Sequence, residues 1–200
     1  DRHKFVIAYA GTIYLDRDPS PLFHAAARVI EDFALKPSDF AIEFMGDAQS
    51  YNGVTVESLA RDAGLDAFVR VKPRGSRAEA FAFLSRAAML VVLPQDSTMA
   101  VPAKLFDYMQ FEAAVLALAN VKSATAQLLD GTNADVVDPS DTDAIARVIA
   151  RRFEEFAQGR RPRRLAAHRG LSREAQACQL FDFLDEVAAP SGERKVPGDL

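Results

Sequence analysis

Short apolar runs alternate with longer segments of helical spacing along most of the chain. The first run, Phe5-Val6-Ile7-Ala8-Tyr9-Ala10, stops at Gly11-Thr12, and the second, Ala41-Ile42-Glu43-Phe44-Met45, stops at Gly46-Asp47. Further runs cover residues 67–71, 89–94 and 113–118, and a short one at 134–137 ends on Asp138-Pro139. Runs of this length with no polar alternation predict strands buried on both faces. Between them, helical spacing falls at about residues 21–35, 55–64, 77–88, 102–111, 122–130 and 141–157. Asn52-Gly53 is expected to introduce the second helix, and Ser140-Asp141 stands in capping position for the sixth. Buried strands alternating with helices predict an α/β fold: a Rossmann-like, doubly wound parallel sheet of about six strands in a single domain.

The pattern changes after residue 158. A basic, proline-broken stretch, Arg160-Arg161-Pro162-Arg163-Arg164, precedes one more amphipathic helix at about 171–188, where Ser172 could cap. The expected domain is 1–188, and residues 189–200 read as a flexible polar tail. The chain starts directly ahead of a buried-strand pattern, as an excised domain does.

Composition narrows the function classes. The 200 residues are 49% hydrophobic and 26% charged, enough for one substantial core. A net charge of -4 supplies no global attraction to nucleic acid, so no nucleic-acid partner is expected. The single cysteine, Cys178, rules out an internal disulfide and a CxxC site, and reads as an inert core thiol on the last helix. His3, His24 and His168 lack ligand spacing. No apolar run approaches the ~20 residues of a membrane span. Cytoplasmic exposure is the natural expectation.

In an open α/β sheet, ligands bind outside the carboxyl ends of the strands, so the loops that follow each run carry the candidate chemistry. After the first strand, Gly11 permits close backbone approach, Thr12 offers a hydroxyl, and Arg17 can pair with phosphate oxygens. The same segment also suits an ordinary strand-to-helix turn with Arg17 solvated. Pro73, Arg74 and Gly75 follow the third strand and either edge a ligand or simply turn. After the fourth, Val101-Pro102 starts a helix that carries Lys104 in its first turn and Asp107 one turn on. The cation suits a diphosphate and the carboxylate suits a pair of ribose hydroxyls. Alternatively the two side chains form an i,i+3 surface pair worth a few tenths of a kcal/mol.

The segment Val101-Pro102-Ala103-Lys104-Leu105-Phe106-Asp107-Tyr108-Met109, followed by the small apolar strand from Ala113, resembles the donor-site helix of GT-B-fold glycosyltransferases of the family 4 type. Ala10-Gly11-Thr12 with Arg17-Asp18-Pro19 and Leu22-Phe23 is similar to the first loop of that family's second, C-terminal domain. Gly46-Asp47 and Asp138-Pro139 also fit, and the resemblance spans about residues 4–188. It implies a hexosyltransferase-type enzyme of polysaccharide biosynthesis with no cofactor and no metal, whose substrate is a UDP- or GDP-linked sugar. It further implies an acceptor bound by an N-terminal domain, without which the chain would not transfer sugar. Gly11 and Thr12 would face the diphosphate, Arg17 and Lys104 would supply positive charge, Pro73 and Arg74 would lie near the base, and Asp107 would bind the ribose. Five positions depart from the family pattern, among them Glu112 and Ala114 where Gly and Pro are common and Thr12 where Arg or Lys is common. Met99 stands where a sugar-contacting Glu is common, and Asp107 itself replaces a Glu one methylene longer. Because relatives act on lipid-linked acceptors, the basic stretch 160–164 with Arg169 could touch anionic headgroups at the inner face of a membrane; it also reads as a solvated linker. A non-catalytic nucleotide-sugar-binding module and a sugar-nucleotide epimerase are the alternatives. A flavodoxin-like signalling domain would need an acidic cluster where Gly11-Thr12 stands.

Overall fold

The computed structural model describes residues 4–13, 17–94, 98–165 and 173–188. The chain divides into two compact units, Asp1–Leu165 and Ala166–Leu200. The first is an α/β unit. Its strands β1 (Phe5–Ala10), β2 (Phe40–Met45), β5 (Val69–Lys72), β6 (Met89–Val92), β7 (Ala114–Leu118) and β8 (Asp135–Val137) form one sheet in the order β5-β2-β1-β6-β7-β8. All five pairings are parallel. The doubly wound architecture expected from the apolar runs is the one observed, because each strand feeds a helix that crosses back over a sheet face.

Helices α1 (Ser20–Asp32), α2 (Val56–Asp62), α3 (Arg77–Leu84), α4 (Ala103–Tyr108), α5 (Ala124–Leu129) and α6 (Thr142–Ala157) fill the gaps between strands. Every residue of β6 and β7 is buried, which is why those runs lack any polar alternation. At one end of the core, the Phe5 ring stacks on Phe40 (5.6 Å) and meets Phe153 and Phe156 edge-on (5.8 and 5.4 Å), tying β1 to α6. The anticipated cap of α6 is present: the Asp141 carboxylate accepts the Ala144 N–H at 2.8 Å.

Residues 50–55 differ from the sequence expectation. Asn52 and Gly53 do not open α2 but turn a small antiparallel hairpin, β3 (Ser50–Tyr51) with β4 (Val54–Thr55). Their φ values of 48° and 80° are those of the tight primed turn for which Asn-Gly is suited. Thr55 caps α2 instead, its hydroxyl accepting the Ser58 N–H at 3.1 Å.

In the second unit, α7 (Arg173–Ala188) forms where helical spacing is expected. Cys178 is exposed on it and is not the core thiol the sequence suggests, since no residue of this helix is buried. Ser172, Arg169, His168 and the tail lie outside the described residues. Among the described residues no helix is long and apolar enough to cross a membrane.

Candidate functional site

The sheet order reverses direction between β1 and β6, and there the two strands part. Their register covers only Ile7 and Ala8, opposite Met89 and Leu90. Further along β1, the buried Tyr108 hydroxyl accepts the Ala10 N–H (2.8 Å) and donates to the Ala10 carbonyl (3.3 Å). One phenol thus satisfies two backbone groups and anchors α4 against the strand end. Burial pushes the Tyr108 pKa up, so it holds its proton throughout the physiological range.

The loops after β1 and β2 touch through their backbones. Gly11 donates its N–H to the Met45 carbonyl (2.8 Å), and Ile13 donates to that of Asp47 (3.0 Å). Gly46, at φ 120°, lies so close that a Cβ there would stand 2.7 Å from the Gly11 carbonyl oxygen. Gly11, at φ 130°, makes room for a side chain: a Cβ on it would stand 2.7 Å from the Lys104 ammonium nitrogen. Neither position accepts another residue without displacing a backbone or a cation.

A cavity of about 370 Å³ opens over these strand ends. Gly11, Thr12, Gly46 and Asp47 form its floor, and Arg74 and Gly75 after β5 form one side. Helix α3 contributes Arg77, Ala80, Phe81 and Leu84, and α4 contributes Lys104, Asp107 and Tyr108. Five expected site residues, Gly11, Thr12, Arg74, Lys104 and Asp107, therefore meet around one space although they come from two separate loops and a helix. Arg17 and Pro73 are outside the lining. Arg17 turns back to donate to the Thr12 carbonyl at 3.3 Å, and Pro73 is exposed. Met99 is 88% exposed, and Tyr14 to Asp16 and Gln95 to Ser97, in the two flanking loops, lie outside the described residues.

Charge around the cavity is unevenly paired. Arg74 faces Asp47 at 3.7 Å, and Arg77 faces Asp107 at 4.0 Å. Lys104 and Asp107 are thus not the surface pair that their spacing allows. The Lys104 Nζ is buried with no hydrogen-bond partner and lies 3.7 Å from the centroid of the Tyr9 ring. Burial lowers its pKa to about 7, helped by the charge of Arg17. The ring face offsets part of the desolvation, but an ammonium wants three acceptors and here has none. An anion in the cavity would supply them.

Arg77 and Phe81 were not singled out from the sequence, although a signal for them exists. Ser76 and Glu79 form a capping box: Glu79 N–H donates to the Ser76 hydroxyl (3.2 Å), and Ser76 N–H to the Glu79 carboxylate (2.7 Å). That S-x-x-E pattern fixes the start of α3 and puts Arg77 in its first turn, at the ligand edge of the sheet. The Tyr108 bridge carries no sequence signal, because its two partners are 98 residues away.

No family model matches the chain, and no curated protein matches it in sequence. Solved structures do match in shape. The chain superposes on a glycosyltransferase from Rickettsia africae with a TM-score of 0.67 at 14% identity, covering 94% of this chain and 49% of that one. An α,α-trehalose-phosphate synthase (UDP-forming) from Burkholderia xenovorans gives 0.59 at 16% identity, over 94% of this chain and 44% of the other. The C-terminal domain of a group 1 family glycosyl transferase from Francisella tularensis gives 0.53 at 16% identity, over 77% of this chain and 80% of that domain. The chain spans about half the length of the first two. It has the fold of one half of a GT-B glycosyltransferase.

Proposed function

We propose that this chain is the donor-binding half of a glycosyltransferase and holds a nucleoside-diphosphate sugar, UDP- or GDP-linked, in the cavity over β1, β2 and β5. The observation that carries the reading is the Lys104 ammonium, buried at the ligand edge of the sheet without an acceptor. In this reading the diphosphate lies on Lys104 and the Gly11-Thr12 backbone, with Arg17 adding positive charge behind it. The Asp107 carboxylate takes the ribose hydroxyls, and the base lies toward Arg74 and α3. Charge that develops on the leaving diphosphate is met by fixed cations and backbone N–H groups, and no divalent ion is invoked. The acceptor comes from a further domain, so transfer requires that domain and donor binding does not.

Calorimetric titration with UDP, GDP and pyrophosphate tests this. Asp107→Asn keeps the side-chain shape and removes the charge. It should weaken a nucleoside diphosphate about tenfold, the effect of one hydrogen bond to a charged group, and leave pyrophosphate within about twofold. Equal losses for both ligands would remove Asp107 from the ribose.

A second reading, donor binding without sugar transfer, is favoured by Met99, which is 88% exposed where relatives of the resembled family carry a sugar-contacting Glu. It predicts equal affinity for a nucleoside diphosphate and its sugar conjugates.

A further inference from the structure

Arg77 has no part in the contacts described so far except its pairing with Asp107, and that pairing gives its location a consequence. If the diphosphate lies on Lys104 and the ribose on Asp107, the base falls beyond Asp107, on the side away from Lys104. Asp107 there faces the Arg77 guanidinium at 4.0 Å. Whatever Asp107 holds, Arg77 borders. The adjoining wall suits a flat ring: Ala80, Phe81 and Leu84 line the cavity, and Phe81 is steadied by Phe111 at 5.3 Å between ring centroids. Arg77 itself lies 5.4 Å from the Phe81 centroid, and α3 is held in place by its capping box.

The hydrogen-bonding side chains at this end of the cavity are one-sided. Glu79 is occupied by Ser76, Asp47 faces Arg74, and Asp107 is assigned to the ribose. What remains is guanidinium N–H, which donates and cannot accept. A donor-only group pairs with a ring carbonyl and opposes an exocyclic amine. We infer that Arg77 sets the base preference of this site, selecting a nucleobase with a carbonyl oxygen where amino bases carry NH2: a uracil- or guanine-type base over a cytosine- or adenine-type one. This rests on the donor-site reading above.

Matched ligands isolate the effect. UDP and CDP differ at the 4-position carbonyl or amine of a pyrimidine, and inosine diphosphate and ADP differ likewise at the 6-position of a purine. With the full chain, UDP should bind at least about fivefold tighter than CDP, and inosine diphosphate at least about fivefold tighter than ADP, somewhat less than a full bidentate pair gives. Arg77→Met should bring both ratios within about twofold while leaving pyrophosphate affinity unchanged. The side chain of Arg77 is 81% exposed, so its loss does not threaten the fold. Ratios that survive Arg77→Met, or a parallel loss of pyrophosphate affinity in that variant, would each overturn the assignment to Arg77. Equal UDP and CDP affinities in the unmodified chain would overturn the base preference and leave the donor site standing. Failure to bind any of the five ligands would instead overturn the donor site itself.

Discussion

Arg152 on α6 and Lys104 on α4 are both cations drawn away from water, and the protein surrounds them differently. The Arg152 side chain is 10% exposed, and its guanidinium donates to the Asp135 carboxylate (2.8 Å), the Glu155 carboxylate (2.9 Å) and the Asn133 carbonyl (2.7 Å). Burial alone would lower its pKa, but the two carboxylates outweigh burial and hold the value above the ordinary one. Lys104 has a ring face and a neighbouring cation, Arg17, and no acceptor, and its pKa falls to about 7. A desolvated cation with its acceptors built in ties β8 to α6. One without them is kept at a cost to stability, which the ligand anion proposed above would recover.

The contrast breaks most clearly at Arg152. Arg152→Met leaves the largely buried Asp135 carboxylate to the half-exposed Arg151 and strips the Asn133 carbonyl of its guanidinium donor, and should destabilise the fold by about 2–3 kcal/mol in urea unfolding, with nucleotide affinity unchanged. A loss of nucleotide affinity in a stably folded Arg152→Met protein would erase the distinction between the two cations.

Lys104→Met should act in the opposite direction. The folded pKa of about 7 lies below the ordinary 10.5, so between those values the unfolded chain binds more protons and stability rises with pH. Below pH 7 the charged amine is a constant burden. Lys104→Met should therefore stabilise the empty protein by roughly 1–3 kcal/mol at pH 6, with the gain shrinking as pH rises toward 10. A Met variant less stable than the parent at pH 6 would show that the ammonium is satisfied after all.

Much of this was legible from the chain alone, and the reasons are local. Apolar runs such as Met89–Val92 announce a strand covered on both faces, and the Asp141 cap announces α6, because each depends on neighbours in sequence. The strand ends likewise locate Gly11, Lys104 and Asp107 at one edge, since a parallel sheet brings all its carboxyl ends together. Pairing across the fold was not legible. Lys104 and Asp107 have the spacing of a helix surface pair, and only the fold, which brings Arg77 of α3 within 4.0 Å of Asp107 on α4, pairs Asp107 elsewhere. Asn52-Gly53 turned a two-residue hairpin and did not introduce a helix, because strands that short have no alternation to read. Arg17 illustrates the same limit: its charge reaches Lys104, yet its side chain points back to Thr12.

The claim that Lys104 awaits an anion is tested most directly by the protons that move when one binds. At pH 8 an amine of pKa about 7 is mostly neutral, and a bound diphosphate restores its charge. Titration of the intact chain with UDP or GDP in two buffers of different ionisation enthalpy should report uptake of close to one proton per site. Lys104→Met should take up none and bind at least about tenfold more weakly, as expected for loss of a charge-assisted contact. Binding without proton uptake, or undiminished binding by Lys104→Met, would contradict the account.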